Sequence, residues 1–259
     1  MLRSLWNGAS GMAAHAAKMD IVANNLANVN TTAYKKQKAA FTDLLYQRIG
    51  TTGQPVRESS SGPALSGSGV KLTAVSGLFT QGPIISTGRE LDVAIRGNGF
   101  MEVELPNGQL AYTRDGNLQV DGEGTLVHSS GFRLSAQVMV PAGAKKLVIA
   151  PNGSITATLE DGTREEIGVL PLYRFNNPGG LMPIGQNLFV STEESGAAWE
   201  EVPGQSGMGT FQQGMLEGSN VNLVEEMTQM IIAQRAYQFN SRSVQVADEM
   251  WGMANNLRK

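Results

Sequence analysis

Both ends of the chain carry long apolar stripes with helical spacing. In the first stripe, apolar side chains recur in steps of three and four, at Leu2, Leu5, Ala9, Met12, Ala16, Met19, Ala23 and Leu26. The second stripe keeps this rhythm between polar interruptions, at Leu223, Met227, Met230, Tyr237, Val244 and Trp251. Such spacing places the side chains on one side of a helix, as in a coiled-coil seam. The two ends are therefore predicted to be long helices that pack together, a design typical of assembling proteins.

The C-terminal helix, predicted from Asn222 to about Leu257, carries a second apolar stripe. Its members are Ile232, Ala236, Phe239, Val246, Met250, Met253 and Leu257. One stripe can pack on the N-terminal helix of the same chain, and the other has no evident partner there. An exposed apolar stripe of this length indicates an interface between subunits. The alternative is that both stripes pack on the middle of the chain as ordinary core.

The N-terminal helix is predicted from Leu2 to about Asn28, and two glycines weaken it. Gly8 and Gly11 each lower its stability by roughly 1 kcal/mol relative to alanine, so the helix is expected to need partners. Asn24, Asn25 and Asn28 lie near its end. Their amides are interpreted either as groups that bond neighbouring backbones or line a wet channel, or as simple helix terminators.

A stretch from Gly50 to Gly69 is rich in Ser, Thr, Gly and Pro and has no periodicity. Pro55 and Pro63 stiffen it locally, while Arg57 and Glu58 can offer paired charges to a neighbour. A structureless loop of this length in a compact protein is uncommon unless it is functional or disordered. It is interpreted as a bracing arm between subunits, with a passive linker as the alternative.

From Val70 the pattern changes to short alternating strands bounded by turn dipeptides, at Asn107-Gly108, Asp115-Gly116, Asp121-Gly122, Asn152-Gly153 and Asp161-Gly162. The predicted strands include Leu91–Ile95, Phe100–Leu105, Lys146–Ile149 and Ile155–Leu159. The fold class is therefore α+β, with paired, coiled-coil-like terminal helices and an inserted antiparallel all-β domain. The predicted domains are an assembly helix at 1–30, a connecting segment with the arm at 31–69, the β domain at 70–210 and a second assembly helix at 211–259.

No pattern in the chain demands catalysis, a metal or a cofactor. There is no cysteine, which excludes disulfides and thiol chemistry. His15 and His128 lie in unlike contexts and are interpreted as structural or surface side chains. Asp121–Gly124 lacks the ligand spacing of a calcium loop, and Arg96–Phe100 lacks the third glycine and the helix of a phosphate loop.

Charge and hydropathy narrow the choice of partners. The net charge of −3 argues against nucleic acid as a main partner. Lys35, Lys36 and Lys38 form a small basic cluster that is interpreted as a solvated or laterally ion-pairing face. No run approaches the roughly 18 apolar residues that a membrane span needs. No continuous apolar segment follows Arg3, so a cleavable Sec signal is not expected.

Several strings resemble motifs of the bacterial flagellar rod and hook proteins. They are ANNLANVNTTAYK at 23–35, GNGF at 97–100, YTRDG at 112–116, EGSNV at 217–221 and MIIAQRAY at 230–237. Their order and spacing match over nearly the whole chain, which makes the set specific. Length, the start MLRSLW and the ending AQRAYQFNS most resemble the distal rod type. Ala33 stands where the family often has glycine, so no turn with positive φ is assumed there.

The resemblance implies a structural subunit that is exported by the flagellar type III apparatus to the basal body. The helices of many subunits would form the inner wall of a helical tube, with the β domain outside, and the tube would transmit torque to the hook. The implied partners are further copies, proximal rod subunits, the hook protein and the surrounding ring proteins. Residues expected in subunit assembly are Leu5, Met12, Met19, Asn24, Asn25, Leu26, Asn28, Leu223, Met227, Met230, Tyr237, Val244, Met250 and Trp251.

Two alternatives to the distal rod type stay open at this point. The first is a proximal rod or hook-like subunit of the same family, although hook proteins usually carry larger middle domains. The second is a secreted, cell-wall-active enzyme with coiled termini, which an assay for peptidoglycan hydrolysis would detect.

Overall fold

The computed structural model describes residues 2–48, 65–205 and 207–256. Two long helices stand at the ends, α1 (Leu2–Ala27) and α2 (Leu223–Asn256). The first strands are β1 (Gln37–Asp43), β2 (Gln47–Arg48), β3 (Leu65–Ser66), β4 (Val70–Gly77), β5 (Ile84–Ser86), β6 (Val93–Arg96), β7 (Met101–Glu104), β8 (Leu110–Thr113), β9 (Leu118–Val120) and β10 (Leu126–His128). The remaining strands are β11 (Arg133–Leu134), β12 (Ala144–Ile149), β13 (Ser154–Leu159), β14 (Arg164–Val169), β15 (Leu172–Arg174), β16 (Met182–Gly185), β17 (Leu188–Val190), β18 (Trp199–Glu201), β19 (Thr210–Gln213) and β20 (Met215–Glu217).

The described residues group into two compact units. The helical unit contains residues 2–27, 37–48, 65–76 and 222–256, and the β unit contains residues 28–36, 77–205 and 207–221. The chain therefore passes from the helical unit into the β unit, returns, and enters the β unit a second time before α2 begins.

In the helical unit, α1 packs along α2, and β1 pairs with β4 as a two-stranded ribbon. Asn222 caps α2, because its side-chain oxygen accepts hydrogen bonds from the backbone N–H groups of Val224 and Glu225 at 3.0 and 3.3 Å. Two carboxylates in the first turn of α2 complement the helix dipole. Within the described residues, neither helix combines the length and the apolar content that a membrane-spanning helix needs.

The β unit is built from antiparallel ladders. Its largest sheet has seven strands in the order β16-β17-β8-β7-β11-β10-β9, and β12-β13-β14 form a separate meander. The pairs β15-β18, β19-β6 and β20-β5 complete the ladders. Hence β19 and β20, the last strands before α2, return the chain to strands from the start of the unit.

Most of the predicted turn dipeptides lie at hairpins of the structure. Gly108, Gly153 and Gly162 have φ values of 77°, 84° and 77° and turn the chain between β7 and β8, β12 and β13, and β13 and β14. Asp115-Gly116 differs, because it joins β8 to β9, which are not neighbours in the sheet. The Cα of Gly116 lies so close to the Val93 carbonyl oxygen that no side chain fits there.

The core of the β unit is formed by the seven-stranded sheet together with the smaller ladders. Its fully buried side chains include Ile95, Met101, Leu118, Leu126, Leu134, Ile155, Leu170, Leu172, Leu188 and Phe211. A second cluster is aromatic: Phe79, Phe100, Tyr112, Tyr173, Phe175 and Phe189 meet at centroid distances of 4.8–6.4 Å, mostly edge to face.

The sequence placed both terminal helices and the antiparallel middle, so the α+β class is confirmed. The boundaries of the units differ from those expected. Val70–Gly77 pairs with Gln37–Asp43, so the compact β unit resumes at Gly77 instead of residue 70. Residues 211–217 form the end of β19 and all of β20, so they belong to the β unit and not to the second assembly domain; α2 itself starts at Leu223, next to the predicted Asn222. The arm residues Pro55, Arg57, Glu58 and Pro63 lie outside the described residues.

Candidate assembly site

A buried carboxylate holds two cations in the β unit. Glu217, at the end of β20, is 1% exposed. Its Oε1 lies 2.6 Å from Lys35 Nζ and its Oε2 lies 2.8 Å from Arg114 Nε. The backbone N–H of Gly82 also donates to Oε1 at 2.9 Å. Each carboxylate oxygen is thus bonded, which is the condition under which a buried charge is tolerated.

Burial and neighbouring charges both shift the pKa values of Glu217 and Lys35. Burial alone would raise the pKa of Glu217, but the charges of Arg114 and Lys35 outweigh it and hold that pKa below its ordinary value. Burial lowers the pKa of Lys35, and the charge of Arg114 adds to this effect, although Glu217 opposes both. The three residues are called the ion triad below.

Arg114 is enclosed by backbone carbonyls. Its Nη1 donates to the Gly99 oxygen at 2.9 Å, and its Nη2 donates to the oxygens of Gly97 and Ile95 at 2.9 and 3.3 Å. Gly97 and Gly99 have φ values of 109° and 138°, which favour glycine. The segment at residues 97–99, called the glycine loop below, therefore presents carbonyl oxygens to a cation. This polarity is opposite to that of a phosphate loop, whose amides face an anion.

The segment that follows α1 is fastened beside the triad. Thr32 Oγ1 donates to Asp115 Oδ2 at 3.0 Å, and Asn187 Nδ2 donates to the Thr32 oxygen at 2.7 Å. Burial would raise the pKa of Asp115, but the nearby imidazole of His128, with Nε2 3.6 Å from Asp115 Oδ2, keeps it below its ordinary value. His128 is 1% exposed, and its Nδ1 accepts a hydrogen bond from the Ser130 N–H at 3.2 Å.

One expectation about this segment is wrong, and one of its residues has a conformation that was left open. Ala33 adopts φ 53°, a left-handed conformation that was not assumed for alanine. It is held there by its backbone N–H, which donates to the backbone carbonyl oxygen of Glu217 at 2.8 Å. Lys35 does not lie on a solvated face, because it is 4% exposed within the triad. Its neighbour Lys38 is exposed, as a solvated face requires. Burial of one lysine in a run of three has no periodic signal in the sequence.

Small residues form the contact between α1 and α2 in the helical unit. A Cβ added to Gly8 would lie 2.7 Å from Val244 Cγ2, and one added to Gly11 would lie 2.6 Å from Asn240 Nδ2. Ala14, Ala233 and Ala247 are also buried. The glycines that weaken α1 by propensity thus allow close helix approach. Helix propensity alone shows only that they destabilise α1.

Polar groups flank this contact. Lys18 Nζ donates to Gln229 Oε1 at 2.8 Å. Asn25 is 1% exposed; its amide bonds both the N–H and the C=O of Gln37 at 2.9 Å and donates to Glu226 Oε2 at 3.1 Å. Asn25 thus bonds a backbone within its own chain. Its predicted role between subunits stays a prediction.

The remaining predicted assembly residues fall into two groups. Half-buried in the described chain are Leu5, Met12, Met19, Leu26, Asn28, Met230 and Val244. Exposed are Asn24, Leu223, Met227, Tyr237, Met250 and Trp251. The interpretation that both α2 stripes are ordinary core is wrong, since the large apolar side chains exposed on α2 are Leu223, Val224, Met227, Ile231, Ile232, Tyr237, Phe239, Val246, Met250, Trp251 and Met253.

Three family models match the chain. The model described as flagella basal body rod protein matches residues 5–35. The flagellar hook protein FlgE/F/G D1 domain matches residues 94–157, and the flagellar basal body rod FlgEFG protein C-terminal model matches residues 212–257. Lys35, Arg114 and Glu217 fall in different models, so the ion triad joins all three matched regions.

Relatives that match over all or nearly all of their length are also flagellar basal-body rod proteins. The chain is 42% identical to the flagellar basal-body rod protein FlgG of Borreliella burgdorferi, over the whole of both chains. It is 35% identical to the Bacillus subtilis protein of that name, again over all of both chains. The Buchnera aphidicola FlgG from Acyrthosiphon pisum is 41% identical over 96% of this chain and 97% of its own. The chain belongs to the flagellar basal-body rod protein family. This is a family of structural proteins and not of enzymes.

The ion triad of this rod protein should make its stability depend on pH. A carboxyl whose pKa is depressed by folding stabilises the protein above its unfolded pKa, and this contribution is lost as the pH falls through the folded value. Since Glu217 and Asp115 are both depressed, the free energy of unfolding of the β unit should decrease as the pH is lowered from about 5 to about 3.

Urea unfolding of the full chain, followed by near-ultraviolet circular dichroism at each pH, measures this change. Glu217→Gln should cost about 3 kcal/mol near neutral pH and flatten the pH dependence. The exposed carboxylate of Glu160 supplies the control, since Glu160→Gln should leave both quantities as they are. An equal acid sensitivity in Glu217→Gln and the unsubstituted chain would contradict the assignment.

A second test concerns the close helix contact. Gly8→Val improves intrinsic helix propensity but places two methyl groups against Val244, so it should weaken helix pairing by about 1–3 kcal/mol. Ala9→Val is the matched control, because Ala9 is exposed and valine costs propensity there without a clash. Thermal loss of ellipticity at 222 nm reports helix pairing. The contact would be refuted if Ala9→Val were the more damaging change.

Proposed function

We propose that this rod family member is the distal rod subunit and polymerises through the exposed apolar surface of α2. The observation that carries the proposal is the set of eleven large apolar side chains exposed on this one helix. Monomeric proteins rarely expose apolar patches of such extent unless the patch binds something. The identity to full-length FlgG proteins supports the distal type.

The helices form the proposed inner wall of a tube, and the β unit lies outside it. In this arrangement α1 covers the narrow side of α2 that carries Ala233 and Ala247, in a coiled-coil-like pair. The exposed sides of α2 then pack against helices of neighbouring copies. A continuous helical wall can carry torque and line an export channel, and it needs no reactive group.

The proposed partners follow from a rod's position. Further copies cover the α2 surface, proximal rod subunits and hook protein adjoin the two ends of the tube, and ring proteins surround it. Export by the flagellar type III apparatus is part of the same proposal. No nucleic acid is among the proposed partners, since the chain carries a net charge of −3.

The stretch from Gly50 to Gly69 is the proposed bracing arm between subunits. The proposal rests on composition, since prolines stiffen an arm and adjacent Arg57 and Glu58 offer complementary charges to a neighbour. A bridge of this kind opposes the sliding of subunits that lets a tube bend.

A charge on the exposed surface of α2 should stop polymerisation. Phe239 is 67% exposed in the single chain, so Phe239→Asp should leave the helix content of the monomer unchanged. In a packed polymer the carboxylate would be buried without a partner, at a cost of several kcal/mol for each subunit. Motility assays and electron microscopy of basal bodies should show absent distal rods.

Gln234→Asp is the matched control, since it places the same carboxylate at an exposed polar position of α2. We expect rods of normal length from this variant. Normal rods from Phe239→Asp would remove α2 from the proposed subunit interface.

The bracing arm has its own test. Deleting residues 51–64 keeps β2 and β3 and should leave monomer stability almost unchanged, while assembled tubes should become curved or flexible. Replacing the same residues with a Gly/Ser segment of equal length separates stiffness from reach. Persistence length, measured on electron micrographs, decides the matter: unchanged stiffness in both variants identifies a passive linker.

A further inference from the structure

The β unit holds together the two chain segments that lead to the helices. Residues 28–36 follow α1, and β20 with the residues after it precedes α2. The Ala33 N–H donates to the backbone oxygen of Glu217 at 2.8 Å, and the backbone N–H of Asn220 donates to the backbone oxygen of Tyr34 at 3.4 Å. These backbone bonds place the two segments side by side.

Side chains secure this junction. The buried Lys35–Glu217 pair joins one segment to the other at 2.6 Å. Asn220 Oδ1 accepts the Lys36 N–H at 2.7 Å, while its Nδ2 donates to the oxygens of Leu78 and Thr80 at 2.8 and 3.1 Å. Arg114 anchors Glu217 to the glycine loop. The junction is therefore part of the fold of the β unit and does not depend on whether α1 and α2 are formed.

We propose that this junction is a clamp that makes α1 pair with α2 of its own chain instead of with α2 of another copy. Lys35 and Asn220 are its positioning residues. The clamp shortens the connection between the helices: Ala27, the end of α1, is eight residues from Lys35, and Leu223, the start of α2, is six residues from Glu217.

Opening the clamp lengthens this connection. If residues 28–36 left the β unit, the chain after α1 would next join that unit at Gly77, 50 residues beyond Ala27. Because residues 37–48 and 65–76 belong to the helical unit with α1, the free connection would grow at most about fourfold. Effective concentration falls roughly as the −3/2 power of length, so it would drop at most about eightfold. Pairing between chains would gain by the same factor relative to pairing within one.

A cysteine reporter on the helix pair compares pairing within one chain with pairing between chains, in the free chain and without a rod. Lys18 and Gln229 are hydrogen-bonded across α1 and α2, and the chain has no cysteine of its own. The double variant Lys18→Cys/Gln229→Cys reports pairing within one chain. A mixture of the two single variants reports pairing between chains. The ratio of the two cross-linking rates with a short bis-maleimide is the effective concentration.

Lys35→Met in these backgrounds should lower the effective concentration, by at most about eightfold. It leaves Glu217 paired with Arg114 and Gly82, so the strands should keep their protection against hydrogen exchange. Lys38→Met removes the same charge at an exposed position and should change nothing. Asn220→Ala opens the other half of the clamp without touching a buried charge and should act in the same direction.

Hydrogen exchange in β7 and β8 separates positioning from general destabilisation. An altered ratio with full protection in Asn220→Ala supports the clamp, whatever Lys35→Met does to folding. An unchanged ratio in Asn220→Ala, or a ratio that changes only where protection is lost, overturns it. Because the assay uses free chains, normal rods from Phe239→Asp would refute the proposed function and leave this result intact.

Discussion

The fold depends on one buried carboxylate. Glu217 lies between Lys35 and Arg114, and each of the three comes from a different region of the chain. A single anion with two cations would be costly in an apolar core, but backbone groups share the charge: Gly82 donates to the carboxylate, and the oxygens of Ile95, Gly97 and Gly99 receive the guanidinium. The glycine loop is thus shaped by the arginine that it encloses.

The helical unit follows a different principle. Its helix contact uses small residues, Gly8 and Gly11 against Val244 and Asn240, so the backbones approach closely. Large apolar side chains face outward instead. A pair built in this way is weak alone, because an isolated helix is marginal and glycine weakens it further. In the proposed assembly, other subunits would cover α2 and add stability to the pair.

Much of the fold could be predicted from the sequence, because the signals are local. The 3.6-residue period placed both helices, and Asn-Gly or Asp-Gly dipeptides placed the hairpins at Gly108, Gly153 and Gly162. The ion triad could not be predicted, because its members are 79 and 103 residues apart and no period links them. The left-handed Ala33 was missed for a related reason: its conformation is imposed by a bond to distant Glu217, not by its own preference. The roles of Gly8 and Gly11 likewise depend on a partner helix.

The enclosure of Arg114 limits how relatives can exchange parts. Its planar fork spans Glu217 and three carbonyl oxygens at once, whereas a lysine donates from a single point and cannot reach all four. Lys35 and Glu217 come from the two ends of the chain and Arg114 from the middle. A chimera that takes its middle from one rod protein and its ends from another must therefore inherit matching charges on both sides of each junction. In this chain, three residues that lie far apart in the gene have to be exchanged together.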